Sequence, residues 1–137
     1  MKTRTTSSKL ILLLVIGLAL SATTAQAIVI EGSRPVGITF GQTARVTAAN
    51  TGTTAIVISG GKFLDSDGNI LAEFASQVID PGKMMSFDLN ADDIIRESNR
   101  IEIRSVITAE TARGLLISAE VFENDTEKTT VFVTVGK

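Results

Sequence analysis

The sequence predicts an all-β domain, a single antiparallel β-sandwich of seven to nine short strands with one short helical turn. Three observations predict it. Apolar and polar residues alternate with a period of two through the C-terminal third, as half-buried strands require. Clusters of Gly, Pro, Asn and Asp interrupt the chain at short intervals, where hairpins and strand connections need them. The part of the chain that follows an N-terminal leader is 110 residues long and contains no cysteine, so one hydrophobic core without disulfides must hold it.

The leader is read from residues 1–27. Lys2, Arg4 and Lys9 form a basic start, Leu10 to Ala22 an apolar stretch, and Ala25-Gln26-Ala27 a small-x-small cleavage site, the pattern of a secretory signal peptide. The competing reading is an uncleaved membrane anchor. The uncharged run from Leu10 to Gln26 is 17 residues, shorter than the roughly 20 apolar residues of a spanning helix. Cleavage after Ala27 is therefore expected, with residues 28–137 forming one domain that is periplasmic or extracellular. Without cysteine the lipid-modified cysteine of a bacterial lipoprotein is impossible, and no stable membrane insertion is expected after cleavage. The leader holds three of the 13 basic residues and none of the 15 acids, so residues 28–137 carry net −5. The basic residues are scattered, with no stripe to displace counterions from phosphates, which argues against nucleic acid and against anionic membrane surfaces as partners.

Each element follows from local pattern. Ile28-Val29-Ile30 and Gly37 to Phe40 are expected edge strands, and Arg45 to Ala49 alternates around Val46 until Asn50-Thr51-Gly52. Ala55 to Ser59 is a β-branched run that Gly60-Gly61 is expected to end in a turn. Lys62 to Leu64 and Ile70 to Ala75 flank Asp65-Ser66-Asp67-Gly68-Asn69, a hairpin connection. After Val78-Ile79, Asp80-Pro81-Gly82-Lys83 is a turn in which Pro fixes φ and Gly accepts the left-handed position. Met85, Phe87 and Leu89 mark the next strand. Asn90 is a good N-cap for a helical piece of about two turns, with Asp92 and Asp93 suiting its dipole. Ile101 to Thr108 alternates through Ile101, Ile103 and Ile107, broken by Val106. Leu115 to Glu123 and Thr129 to Val135 repeat the pattern across the polar cluster Glu123 to Lys128, a second hairpin. This strand count, spacing and length fit a sandwich of the immunoglobulin or fibronectin III kind, with a small barrel as the alternative.

Four segments carry a resemblance. They are Arg45-Val46-Thr47-Ala48-Ala49-Asn50-Thr51-Gly52, the Phe63 to Gly68 hairpin, the Asp80-Pro81-Gly82 turn, and the tail from Glu120 to Val131. Together they resemble small exported bacterial β-sandwich proteins, immunoglobulin-like or fibronectin III-like and without an assigned activity. The similarity rests on turns and strands, so it implies the architecture and no chemistry. Trp, a Cys pair and the Tyr of a tyrosine corner are all missing, so the resemblance stops short of true immunoglobulin domains.

Absent residue types bound the chemistry. With neither His nor Cys, Ser-His and Cys-His pairs cannot form, and zinc loses its usual nitrogen and sulfur ligands. Lys62, Lys83, Lys128 and Lys137 lie in or beside expected turns or at the end of the chain, poor places to depress a lysine for Ser-Lys catalysis. Asp92-Asp93 and Asp65-Asp67 are the nearest paired carboxylates for glycoside hydrolysis, and capping and turn chemistry explain both more simply. No catalytic residue and no cofactor is expected. Two functions follow: a non-catalytic structural or protein-interaction domain meeting another cell-envelope or extracellular protein, with Ile28-Val29-Ile30 as an edge strand that closes its own sheet or adds to a neighbour's; or a calcium- or small-ligand-binding module at Asp65, Asp67 and Asn69. The calcium match is partial, because the EF-hand glycine and bidentate glutamate positions are Ile70 and Ser76. Asn124-Asp125-Thr126 forms a sequon that also reads as a turn.

Overall fold

The computed structural model describes residues 28–96 and 99–135; the expected leader lies outside them. The strands are β1 (Ile28–Glu31), β2 (Val36–Ile38), β3 (Gln42–Asn50), β4 (Ile56–Asp65), β5 (Ile70–Phe74), β6 (Gln77–Ile79), β7 (Met84–Asn90), β8 (Ile101–Ala109), β9 (Leu115–Glu123) and β10 (Thr129–Val135). All pairings are antiparallel and form two sheets. The first runs β1-β8-β4-β5, with β2 extending β1's side of β8 and β6 extending β5's side of β4; the second runs β10-β9-β3-β7.

The inward positions of the two sheets make one core. Ile38, Ile58, Ile103 and Ile107 come from the first sheet and Val46, Phe87, Ile117 and Val121 from the second, all buried. Alternation puts them there: in β9, Ile117, Ala119 and Val121 are buried while Leu116 is exposed. Phe74 of β5 bridges the layers, stacked on Phe87 at 3.7 Å between ring centroids and edge-on to Phe63 at 6.3 Å. Two stacked sheets closed by such a core are a β-sandwich.

The expected turn at Gly60-Gly61 is not formed. Ile56 to Ser59 and Lys62 to Leu64 belong to one ten-residue strand, β4, with a register shift between Ile58 and Gly60. The glycines serve a bulge: Gly60 holds φ +147°, a conformation side chains resist. Gly61 has room only for hydrogen, because a Cβ there would overlap the Phe74 ring and lie 2.7 Å from the Val106 carbonyl oxygen. The bent strand thus runs on beside β8 instead of reversing.

The helical piece is also shorter than expected. It is a single 3-10 turn, Ala91–Asp93, capped as predicted by the Asn90 side chain accepting from the Asp92 N–H. Ile95, only 5% exposed, enters the core directly after it, so burial of that side chain takes over from helical pairing. Both hairpins form, β4–β5 and β9–β10. The Asp80 to Lys83 turn closes with Lys83 N–H donating to the Asp80 carbonyl at 3.0 Å and Gly82 at φ +73°; it carries the chain from one sheet to the other.

Candidate functional site

The outer face of the β10-β9-β3-β7 sheet carries a patterned surface. Register aligns its side chains in rows across the strands. At one end Met84, Ala49 and Leu116 form an apolar row, with Met84 70% and Leu116 57% exposed. The next row is hydroxylic, Ser86, Thr47, Ser118 and Thr134, and Thr47 and Ser86 share a hydrogen bond of 2.8 Å. The third row is Asp88, Arg45, Glu120 and Phe132, with Phe132 62% exposed.

Arg45 organises this third row. Its Nε and Nη2 donate to the two oxygens of Asp88 at 2.7 and 2.8 Å, Glu120 lies 3.9 Å from Nη1, and the guanidinium sits 4.9 Å from the centre of the Phe122 ring. The fork fits a carboxylate bidentately while its flat face covers an aromatic ring. The Asp88 hydrogen bond, opposed by desolvation, holds the Arg45 pKa even higher than usual, and a guanidinium stays charged at every physiological pH, so the row keeps a fixed cation. Arg45 was legible only as an outward position on a strand. Its partners lie 43 residues away in Asp88 and 75 away in Glu120, and only strand pairing brings them together.

The paired carboxylates serve loops. Asp92 Oδ1 accepts from the Gly41 N–H at 2.6 Å, and Asp92 Oδ2 from the Asn124 amide at 3.2 Å. Asn124 also accepts from the Thr43 hydroxyl at 2.6 Å and donates to Asn90 at 3.1 Å. The sequon asparagine therefore joins three loops at one end of the sandwich. Lys62, expected near a turn, is instead on β4 opposite Glu73. It lines an open groove of about 520 Å3 over the Gly60 bulge, where Glu73, Val106 and Thr108 are its neighbours.

Asp65, Asp67 and Asn69 are held in the β4–β5 connection. Asp65 Oδ1 accepts from the backbone N–H groups of Asp67 and Asn69 at 2.9 and 2.8 Å, and Oδ2 from the Asn69 amide at 2.8 Å. Among the described residues no group of three or more His, Cys, Asp or Glu side chains is placed to hold a metal ion. The Asn69 side-chain hydrogen bond, aided by the backbone donors, lowers the Asp65 pKa. Stability drawn from its ionised form is therefore present at neutral pH and lost as pH falls below the ordinary carboxylate range. Since Asp65 already turns both oxygens toward its own loop, millimolar calcium is expected to leave the melting temperature where chelator leaves it. A rise with calcium would mean that the ion binds the folded state.

Ile28-Val29-Ile30 is paired within its own sheet, Ile28 opposite Ala109 and Ile30 opposite Ile107 on β8. A residue of larger structural weight reads in the sequence only as the start of a turn. Asn50, 1% exposed, donates to the carbonyls of Thr54 and Ile79, each at 2.8 Å, and accepts from the Gly52 N–H at 2.9 Å. Its own backbone accepts from Gly82 and donates to Lys83. Position after an alternating strand suggested only a turn; burial of a polar side chain at a junction of loops is not a local signal.

Fold and surface together define a small two-sheet antiparallel β-sandwich domain with an uncovered, row-patterned sheet face. No family model, curated protein or solved structure matches the chain.

Proposed function

We propose that this protein is an exported, non-catalytic interaction domain of the bacterial cell envelope or extracellular space, immunoglobulin-like in character. The reading is carried by the outer face of β10-β9-β3-β7, where exposed Met84, Leu116 and Phe132 flank hydroxyls and a salt-bridged Arg45. Large apolar side chains on an uncovered face favour contact with another protein, and the fixed Arg45–Asp88 pair favours specificity in that contact. Export rests on the leader pattern at residues 1–27. Among the described residues no helix is long and apolar enough to cross a membrane.

The test combines location with contact. Fractionation of producing cells is expected to yield a product beginning at Ile28 in the periplasm or medium. A photo-crosslinking residue at Leu116 is expected to form a discrete adduct in those cells, while one at Glu102 forms none. Retention of Met1 in a cytoplasmic product defeats the export part, and equal labelling from both positions defeats the face.

A further inference from the structure

The last strand is an unguarded sheet edge. Among the described residues β10 pairs on one side only, with β9, so half of its backbone N–H and C=O groups face away from the sheet. Edge strands ordinarily carry a charge, a proline or an interruption that discourages further pairing. The first sheet's edges follow that rule: Arg34-Pro35 separates β1 from β2, and β5 and β6 are short and broken at Ala75-Ser76. On β7, Asp88 supplies a charge. In contrast Thr129–Val135 is seven residues long, uncharged, free of Pro and Gly, and built of β-branched and aromatic residues. Its one irregularity is a bulge at its start, between Thr129 and Val131.

The strand is also its own mirror. Thr130-Val131-Phe132-Val133-Thr134 reads identically in both directions. In an antiparallel pair related by a two-fold axis through Phe132, Thr130 meets Thr134, Val131 meets Val133, and Phe132 meets Phe132 of the second copy. No charge opposes a like charge anywhere in this register, and the central pair is aromatic, one of the cross-strand combinations that stabilise a sheet. Phe132 is already 62% and Val131 38% exposed, so the contact needs no unfolding. We propose that this protein forms a two-fold dimer through β10, joining two four-stranded sheets into one continuous eight-stranded sheet. The interface is isologous and closes at two copies. It puts the Asp88, Arg45, Glu120 and Phe132 rows of both copies end to end across the shared face. This inference does not rest on export or on what the outer face binds.

Sedimentation of the purified full product across micromolar to millimolar concentrations tests it. The natural protein is expected to approach twice the monomer mass. Phe132→Lys and Phe132→Glu each place like charges opposite one another and are expected to weaken the dimer about tenfold or more. An equimolar mixture of the two variants, which places Lys opposite Glu, is expected to restore it. Both changes are at an exposed position, and an unchanged melting temperature of the monomers shows that the fold survives. A natural protein that stays monomeric overturns the proposal, as does an assembly growing beyond two copies. So does a dimer indifferent to both variants, or a mixture no tighter than either variant alone.

Discussion

Replacing Gly61 by valine is expected to cost about 1–3 kcal/mol of unfolding free energy, since a side chain added where neighbours already touch forces side chains or backbone to move. The Phe74 ring and the Val106 carbonyl occupy the space a Cβ would need. The carbonyl belongs to the central strand β8 and cannot withdraw without breaking its ladder to β4. Phe74 can leave only by giving up its stack on Phe87 and its edge contact with Phe63. Urea unfolding of Gly61→Ala, Phe74→Ala and the double variant separates these partners. Phe74→Ala alone is expected to lose about 2–3 kcal/mol, less than a fully buried phenylalanine because the ring is only partly buried beside an open groove, and the alanine at Gly61 should then cost clearly less than in the natural background. A Gly61→Ala cost that is the same with and without the ring would show that Phe74 is not what excludes the side chain.

The second large effect belongs to Asn50. Asn50→Leu keeps the branched heavy-atom skeleton but strips the Thr54 and Ile79 carbonyls and the Gly52 N–H of their side-chain partner. A group left unsatisfied on burial costs about 1–3 kcal/mol, and of the three partners the Ile79 carbonyl is the buried one while Thr54 is exposed to water, so a loss of about 2–3 kcal/mol is expected, read as a lower urea midpoint. Asn50→Asp adds a sign that packing alone does not predict. Buried at 1% exposure and facing two carbonyl oxygens, an aspartate there is held protonated and its pKa is raised above the unfolded value. The folded state then binds the proton more tightly, so the variant's stability is best below the ordinary carboxylate range and falls as pH rises through the folded pKa. A pH-independent stability difference from the natural protein would contradict the placement of those carbonyls.

The unequal reach of sequence and structure is visible in these residues. Alternation alone located β8, β9 and β10, because its period of two is written in consecutive residues, and in β8 and β9 it separates a buried face from an outer one. Turn chemistry located the Asp65 to Asn69 and Asp80 to Lys83 reversals and the Asn90 cap, since each is completed by hydrogen bonds within five residues. Signals of that range survive in a bare sequence. Gly60-Gly61 shows where they mislead: two glycines at the end of a β-branched run satisfy the local rule for a turn, yet a ring 13 residues further on needs that space and keeps the strand going.

What the sequence determined by itself is the class of object, an all-β chain with a leader-like start, no His or Cys chemistry, and a palindromic last strand. Only the tertiary structure decided that Asn50 ties its own loop to the β6–β7 turn and that Arg45 is clamped between Asp88 and Phe122. It alone showed β10 to be an edge and so made the palindrome meaningful. The physical reason is the same in every case. Periodicity and turn propensity act between neighbours along the chain, whereas burial, cross-strand partners and the identity of an edge are set by which distant strands pair.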